Sequence, residues 1–265
     1  MAEAEDIIER LIHLEDVIYD GNVCSMCGGK GFLLDENHKA IECQCQKSKL
    51  LQKLYKEASI PVMYFGMTIV DNWDRNLDAF GMELGARKED KIRIGEFINR
   101  YIKILPALSD GKKAVIVNKK QNKKLFFNSL LLVGGQHSGK TMIVSILCQE
   151  MINRAKTAKY YEWHNLSSIL AEFRNSDSVD EVVDDFRSRD LIAIDGVMPY
   201  DLDSQSFLFN LNRISSTRLQ SGKPIVITCS PEYTERSFKT QIQNPEKSAT
   251  VWNQLLEDCL TIHLP

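Results

Sequence analysis

The sequence predicts an α/β protein in which a parallel sheet is flanked by helices and is preceded by a small hairpin domain. Three observations support this fold class. Short apolar runs, typical of strands buried on both faces, recur along the chain. A segment with the apolar spacing of a helix separates most of these runs, which is the order of a parallel α/β sheet. Finally, four of the seven cysteines lie between Cys24 and Cys45.

Length and composition narrow the class of protein. A chain of 265 residues can form one large domain or a domain with a small appendage. The formal charge of −3 excludes a generally basic surface, so contact with nucleic acid would need a local patch. No apolar run approaches the roughly 20 residues of a membrane span, and the start, MAEAEDIIER, is acidic where a signal peptide is basic. We therefore expect a cytoplasmic protein with no membrane partner.

The first element is an amphipathic helix. Residues Ile7–Ile18 repeat apolar side chains at three- and four-residue intervals, and Asp20-Gly21 marks the end of the pattern. The apolar face packs either on the rest of this chain or on another protein.

Two cysteine pairs follow this helix. Cys24 and Cys27 form a C-x-x-C pair, Cys43 and Cys45 form a C-x-C pair, and the segment between the pairs is predicted to be a hairpin that turns at Asp35–His38. Four thiolates at the base of a hairpin can close a tetrahedral zinc site with no open position, which is a structural rather than a catalytic arrangement. The alternatives are a reduced thiol cluster without metal and a catalytic thiol, for which no positioned base is evident.

The segment after Cys45 marks a domain boundary. It is rich in lysine and has helical spacing up to Pro61, and its charges surround the helix, which favours a solvated linker helix. We assign residues 1–57 to an amino-terminal zinc-binding domain and residues 58–265 to the main α/β domain. The segment Ile60–Asp74 is apolar and aromatic, so we expect it to pack onto the main domain.

A helix and a basic hairpin precede the first core strand. Residues Asp78–Leu105 have helical spacing with a break around Gly81–Gly85. Residues 112–127 are predicted to form two strands joined by a turn that carries lysines, which could contact phosphates or simply keep the turn soluble. The turn lysines are Lys119, Lys120, Lys123 and Lys124.

The strongest motif is a phosphate-binding loop. The apolar run Leu130–Val133 is predicted to be a buried strand, residues 134–141 fit G-x-x-x-x-G-K-[ST], and a helical pattern begins at Met142. Glycines let backbone N–H groups curl around a polyphosphate at a helix start. Lys140 would contact the β- and γ-phosphates, and Thr141 would bind Mg²⁺. A chance match in a glycine loop is the alternative. The predicted nucleotide-binding residues are Gly134, Gly135, Gln136, His137, Ser138, Gly139, Lys140, Thr141 and Met142.

The remaining core elements alternate between strand and helix. The apolar run Leu191–Asp195 has the Walker B pattern, in which a buried strand delivers a carboxylate beside the Mg²⁺ held by Thr141. Another buried strand ends in polar groups at Ser230, and ligands of such sheets bind at the carboxyl ends of the strands. The predicted strands are 130–133, 159–163, 191–195 and 223–230, and the predicted helices after the loop helix are 165–174, 180–187 and 201–221.

The order of these motifs resembles that of a known family. Amino-terminal cysteine pairs, an Ile-Pro segment, GGQHSGKT, LIAIDG and KPIVITCS follow one another as in the DnaC/DnaI group of AAA+ replicative helicase loaders, and more distantly as in the IstB transposition helpers. The resemblance covers nearly the whole chain. It implies an AAA+ fold that binds ATP or ADP with Mg²⁺, self-associates through AAA+ interfaces, and helps a hexameric replicative DNA helicase to receive single-stranded DNA.

The resemblance also implies individual roles. Lys140 and Asp195 would serve ATP hydrolysis together with Ser230, which occupies the sensor position where the family usually has asparagine. Arg218 matches the position of the arginine finger that acts on a neighbouring subunit, and Arg213 is the rival for that role. Either arginine could instead be an ordinary surface residue.

Two departures from the family pattern weaken the case for an active ATPase. Gly196 stands where the family commonly has an acidic residue after the Walker B aspartate, and no second sensor arginine occurs in residues 249–265. We therefore expect ATP binding with slow or absent hydrolysis.

Four functions are compatible with these motifs. The leading one is a helicase loader whose residues 1–57 grip the helicase while the AAA+ domain binds ATP and single-stranded DNA. The others are an IstB-like ATPase that coats duplex DNA, a small-molecule kinase, and a nucleotide-binding adaptor that does not hydrolyse ATP. A kinase would need an arginine-rich lid and a second substrate pocket, for which the sequence offers no clear segment.

Overall fold

A computed structural model describes residues 24, 26–28, 30–36, 38–69, 88–118, 123–172, 176–198, 205–231, 250 and 253–264. The predicted helix at Ile7–Ile18, the predicted break around Gly81–Gly85 and two of the predicted turn lysines, Lys119 and Lys120, lie outside these residues. In chain order the elements are β1 (Phe32–Leu34), β2 (Ala40–Glu42), α1 (Gln44–Glu57), a 3₁₀ turn (Val62–Tyr64), α2 (Lys88–Ser109), β3 (Ala114–Asn118), β4 (Lys123–Phe127), β5 (Ser129–Val133), α3 (Lys140–Asn153), β6 (Ala158–Glu162), α4 (Trp163–Ala171), α5 (Asp177–Ser188), β7 (Leu191–Val197), α6 (Gln205–Ser221), β8 (Ile225–Cys229) and β9 (Cys259–His263).

A five-stranded parallel sheet forms the centre of the fold, as the sequence predicts. Its strand order is β6-β7-β8-β5-β9, and every neighbouring pair runs parallel. The strand before the phosphate loop, β5, therefore lies inside the sheet and is buried along its whole length. The loop that follows it opens at the carboxyl edge of the sheet, where ligands of parallel α/β sheets bind.

Alternating side chains divide the core between the two faces of the sheet. On β7, Leu191 and Ala193 pack in a cluster with α2 and α3, whereas Ile192 and Ile194 pack in a second cluster with α4, α5 and α6. This alternation is the period-two pattern of an extended strand whose two faces are both covered. It places the next residue, Asp195, on the face that carries α3.

Several elements extend beyond their predicted bounds. Helix α5 begins at Asp177, three residues earlier than predicted, because the Ser176 hydroxyl caps it by accepting from the Val179 N–H. Helix α2 continues through Pro106 to Ser109. Strand β7 continues past Asp195 to Val197 through a register irregularity.

Helix α1 packs on the main domain, although its charge pattern predicted a solvated linker. The Tyr55 side chain is only 5 % exposed, and its hydroxyl donates a 2.5 Å hydrogen bond to Asn153 Oδ1 at the end of α3. The next segment packs on the same core through buried Ile60 and Ile69, as expected for this apolar stretch. The last turn of α1 and residues 58–69 are therefore held against the helix that follows the phosphate loop.

The basic hairpin is confirmed, but its lysines are not all in the turn. Strands β3 and β4 pair antiparallel with Asn118 opposite Lys123, so Lys123 and Lys124 belong to the second strand. At the base of this hairpin Phe127 is buried beside the aromatic rings of Phe97 and Tyr101. Within the described part of the chain, no helix has the length and apolar character needed to cross a membrane.

Candidate nucleotide site and four-cysteine cluster

The phosphate loop has the strand-loop-helix geometry that the motif predicts. It leaves β5 at Gly134 and enters α3 at Lys140. A Cβ on Gly134 would lie 2.4 Å from Ser138 Oγ, so only glycine fits there. Gly139 has a φ of 82°, in the left-handed region that favours glycine. Gln136 and His137 are exposed at the tip of the loop, whereas Met142 is buried in the core below it.

Lys140 folds back over this loop. Its ammonium Nζ donates to the carbonyl oxygens of Gly134 and Gly135 at 2.6 and 2.5 Å. Burial lowers the pKa of Lys140 from its ordinary value. A polyphosphate in the loop would replace these neutral acceptors with charged oxygens, which form stronger hydrogen bonds with an ammonium.

Asp195 gathers three hydroxyl groups at the carboxyl edge of the sheet. The Thr141 hydroxyl donates to Asp195 Oδ2 at 2.7 Å, and the Tyr160 hydroxyl donates to the same oxygen at 2.8 Å. The Thr228 hydroxyl donates to Oδ1. The structure therefore brings together Thr141 and Asp195, the two residues that the sequence predicts as Mg²⁺ ligands.

Sequence reasoning missed Tyr160 and Thr228. Ser230 is the polar group that the sequence predicts for this strand because it ends the apolar run, and it lies half-buried one position past β8. Thr228 reaches Asp195 from within β8 and also accepts a 2.8 Å hydrogen bond from the Gly196 N–H. The available signal was the hydroxyl of Thr228 inside an otherwise apolar strand that is buried throughout, where a polar group needs a partner.

Gly196 adopts a backbone conformation that accounts for its identity. Its φ is 76°, and the pairing of β7 with β8 is irregular between Ile194 and Val197. The irregular pairing thus coincides with a left-handed glycine. A glutamate at this position would have open space around its Cβ but would strain the backbone.

Arg218 does not lie where an arginine finger would. It is only 3 % exposed. Its terminal nitrogens donate to four main-chain carbonyls that lie at the end of α5 and just before the starts of β7 and β8. Burial lowers the pKa of Arg218 to about 9. The four acceptors are the carbonyl oxygens of Phe186, Arg189, Asp190 and Pro224.

This burial corrects the role that the family resemblance implies for Arg218. A finger must extend from the surface into a neighbouring subunit, whereas this guanidinium is used inside its own fold. The rival, Arg213, is about one-third exposed and forms a 2.8 Å ion pair with Asp180.

The four predicted cysteines form one cluster. All of their sulfur atoms lie within 4.8 Å of one another, with Cys24 Sγ 3.8 Å from Cys43 Sγ and Cys27 Sγ 3.5 Å from Cys45 Sγ. The hairpin of β1 and β2 separates the two pairs along the chain, as predicted. The Gly31 N–H donates to Cys27 Sγ at 3.3 Å, and this hydrogen bond lowers the pKa of the Cys27 thiol.

Comparison with known proteins supports the fold. The sequence matches no family model and none of the curated proteins. The structure is similar to that of a DnaI, with a TM-score of 0.50 and 15% identity over 68% of this chain and 87% of that chain. The structure of a DnaC helicase loader gives a TM-score of 0.47 and 14% identity over 73% of this chain and 98% of that chain. The structure of AMPPCP-bound DnaA from Aquifex aeolicus gives a TM-score of 0.47 and 13% identity over 68% of this chain and 48% of that chain.

These identities establish the fold alone. The chain has an AAA+-like α/β fold similar to that of the DnaI structure, together with a four-cysteine cluster on a small antiparallel hairpin.

Proposed function

We propose that the protein is an ATP-binding helicase loader that binds a hexameric replicative DNA helicase and helps to place it on single-stranded DNA. One observation supports this proposal above the others: within an AAA+-like fold, Lys140 closes over the phosphate loop while Thr141 contacts Asp195 at the adjacent strand end. The order of motifs and the amino-terminal cysteine hairpin favour a DnaC/DnaI-like loader over other AAA+ proteins.

The residues present fit ATP with Mg²⁺. Mg²⁺ prefers oxygen ligands and is often held by one or two carboxylates together with substrate phosphates. The Thr141 hydroxyl and the Asp195 carboxylate, 2.7 Å apart, supply such oxygens beside the loop. When bound, Mg²⁺ neutralises charge on the phosphates, while Lys140 and the loop amides orient the nucleotide and Thr228 and Tyr160 hold the carboxylate in place.

The four-cysteine cluster fits Zn²⁺. A tetrahedron with metal–sulfur bonds of about 2.3 Å has sulfur–sulfur edges of about 3.8 Å, close to the two distances of 3.8 and 3.5 Å that join opposite pairs. We propose that Cys24, Cys27, Cys43 and Cys45 hold a structural zinc. Two three-residue strands bury too little apolar surface to be stable by themselves, so the metal would supply most of the folding free energy.

We propose a division of labour between the two parts of the chain. Residues 1–57 would grip the helicase, and residues 58–265 would bind ATP and single-stranded DNA and self-associate. Because the end of α1 packs against the end of α3, and the start of α3 carries Lys140 and Thr141, we expect a change at the phosphate loop to be transmitted to α1, the helix that follows the cysteine hairpin. Binding of ATP at the loop would then control binding of the helicase.

Complex formation with a replicative helicase tests the proposal. The full chain and Lys140→Ala are mixed with a hexameric helicase from the same source, with and without ATP, and separated by size. We expect a stable complex of the wild-type chain whose yield depends on ATP, and a loss of that dependence in the variant. Absence of a complex under every nucleotide condition, together with tight binding to duplex DNA, would favour an IstB-like protein instead.

Gly196 favours a second candidate, a nucleotide-binding adaptor without turnover. The residue after Asp195 on β7 is Gly196, which has no carboxylate. Its left-handed backbone conformation does not suit a residue that carries one. Phosphate release by the wild-type chain and by Lys140→Ala separates the two functions. Release that the variant lacks supports an ATPase, and equal background release in both supports the adaptor.

A further inference from the structure

The strand beside β7 ends in a carboxylate. Glu162 is the last residue of β6, and in the parallel pairing of β6 with β7 it lies directly opposite Asp195. Neighbouring strands are about 4.8 Å apart, and paired residues point to the same face of the sheet. Glu162 is therefore placed one strand away from Asp195 and on the same face.

The hydroxyl of Tyr160 gives independent support for this placement. Tyr160 precedes Glu162 by two residues, so the two side chains share a face, and the Tyr160 hydroxyl bonds Asp195. The Tyr160 hydroxyl therefore marks the face of the sheet that Glu162 shares with Asp195.

Glu162 is also accessible and oriented. Its side chain is exposed at the mouth of the sheet edge, and its Oε2 accepts a 3.1 Å hydrogen bond from the Asn165 amide in the first turn of α4. The backbone of Glu162 is extended, so it continues β6 rather than turning away. Asn165 leaves the other carboxylate oxygen able to accept from water.

Gly196 leaves the position after Asp195 without a carboxylate. In the family that this chain resembles, the acidic residue follows the Walker B aspartate on the same strand. Here that position is a left-handed glycine, where the pairing of β7 with β8 is irregular. We propose that Glu162, on the neighbouring strand, orients the water that attacks the γ-phosphate of ATP; this inference rests on the proposed binding of ATP and Mg²⁺ at the phosphate loop.

The step balances without a further reactant. The oxygen of the water forms a bond to the γ-phosphorus while the bond to the β–γ bridging oxygen breaks, and that electron pair stays on ADP. Glu162 accepts a hydrogen bond from the water and directs its lone pair. The proton that the water loses leaves with inorganic phosphate or with solvent.

A purely structural role gives a different expectation. Glu162 is the N-cap residue of α4, where a negative charge interacts favourably with the helix dipole. If this were its whole role, Glu162→Gln would lower thermal stability and leave turnover per folded molecule unchanged.

The test compares Glu162→Gln with Glu172→Gln, an exposed residue at the other end of the same helix. Single-turnover phosphate release, affinity for a fluorescent ATP analogue, and melting temperature are measured for both variants and the wild type. We expect Glu162→Gln to slow phosphate release by about 100-fold, with analogue affinity and melting temperature within error of the control. Glu162→Asp, which keeps the carboxylate, is expected to release phosphate faster than Glu162→Gln.

The bound nucleotide provides a readout other than turnover. After incubation with ATP, Glu162→Gln is expected to retain ATP where the wild type retains ADP. Release by Glu162→Gln equal to that of the control, or absence of phosphate release from a wild type that binds ATP, overturns the role of Glu162 while leaving the proposed ATP switch intact. Failure of the wild type to bind the ATP analogue overturns both the role of Glu162 and the proposed ATP switch.

Discussion

The nucleotide edge of the sheet and the cysteine hairpin are stabilised in opposite ways. The nucleotide edge consists of the phosphate loop, Tyr160, Asp195 and Thr228, and long-range packing on both faces of a buried sheet holds it in place. The cysteine hairpin, residues 24–45, has three buried cysteines at its centre and exposes much of its apolar surface. Its largest exposed apolar side chains are Met26, Phe32, Leu34 and Ile41.

From this difference we expect a metal to be needed for folding of the cysteine hairpin, and a nucleotide to bind an edge that the packing of the sheet already forms. Metal binding to a small segment is coupled to its folding, so we expect the cysteine hairpin to depend on a bound metal. The nucleotide edge is held by hydrogen bonds among its own carboxylate and hydroxyl groups. The two regions should therefore respond differently to ligand removal and to mutation, and four predictions test this difference in order of decreasing effect.

Removal of the metal should have the largest effect, confined to the hairpin. Structural zinc sites bind with about 10–16 kcal/mol of apparent free energy. We expect one zinc per chain, and we expect chelation or Cys27→Ser to remove amide protection from β1 and β2 while β5 stays protected and the ATP analogue still binds. Hydrogen exchange and metal analysis measure this. Cys259→Ala, outside the cluster, is the control, and unchanged protection of β1 and β2 after complete metal loss would contradict the prediction.

Arg218→Ala should destabilise the main domain more than any other single change proposed here for that domain. It leaves four carbonyls without their donor, at a cost of about 3 kcal/mol or more, or roughly 6–12 °C in melting temperature for a domain of this size. Arg213→Ala, which removes a partly exposed ion pair, should cost about 0–1 kcal/mol. Unchanged stability of Arg218→Ala, with loss of turnover only in assemblies, would restore the arginine-finger role.

Thr228→Val tests the internal support of the nucleotide edge. It removes both the donor to Asp195 and the acceptor for the Gly196 N–H, so we expect a loss of about 1–3 kcal/mol of stability. The concentration of Mg²⁺ needed for tight ATP binding should also rise. Ser230→Ala is the matched control, and a larger effect on Mg²⁺ dependence in that variant would favour the sensor position taken from the sequence.

Tyr55→Phe should have the smallest effect and tests the connection between the two regions. It removes one hydrogen bond to Asn153, worth about 1 kcal/mol, and retains the packing of the ring. We expect similar affinity for ATP but a weaker effect of ATP on helicase binding, measured by titration at saturating and zero nucleotide. An unchanged effect of ATP would show that the hairpin and the phosphate loop act independently.

Local patterns in the sequence predicted much of the site. The glycine spacing of residues 134–139 and the position of Lys140 define a loop whose geometry is set by adjacent residues, and the structure has that loop. The same holds for the two cysteine pairs, because a hairpin of fixed length brings them together. The predicted ends of helices are less accurate. The start of α5 differs from the prediction because a single capping hydroxyl, that of Ser176, determines where the helix begins.

Other assignments failed because they depend on contacts between distant residues. The basic pattern of α1 predicted a solvated helix, but Tyr55 and the neighbouring leucines pack on α3. Arg218 looked like a surface finger because its position in the chain matched the family, and nothing in the adjacent sequence indicates the four carbonyls that surround it. The sequence predicts Ser230 rather than Thr228 as the polar group beside Asp195, because strand register cannot be read from the sequence.

By itself, the sequence determined the phosphate loop, the four-cysteine cluster and the class of fold, because each depends on spacing and backbone preference over a few residues. Only the tertiary structure decided which groups surround Asp195 and where Arg218 points. Parallel strands that are neighbours in the sheet are joined through helices, so Glu162, Asp195 and Thr228 are more than 30 residues apart in the chain. Their contacts depend on register, and register is settled by the packing of the whole core.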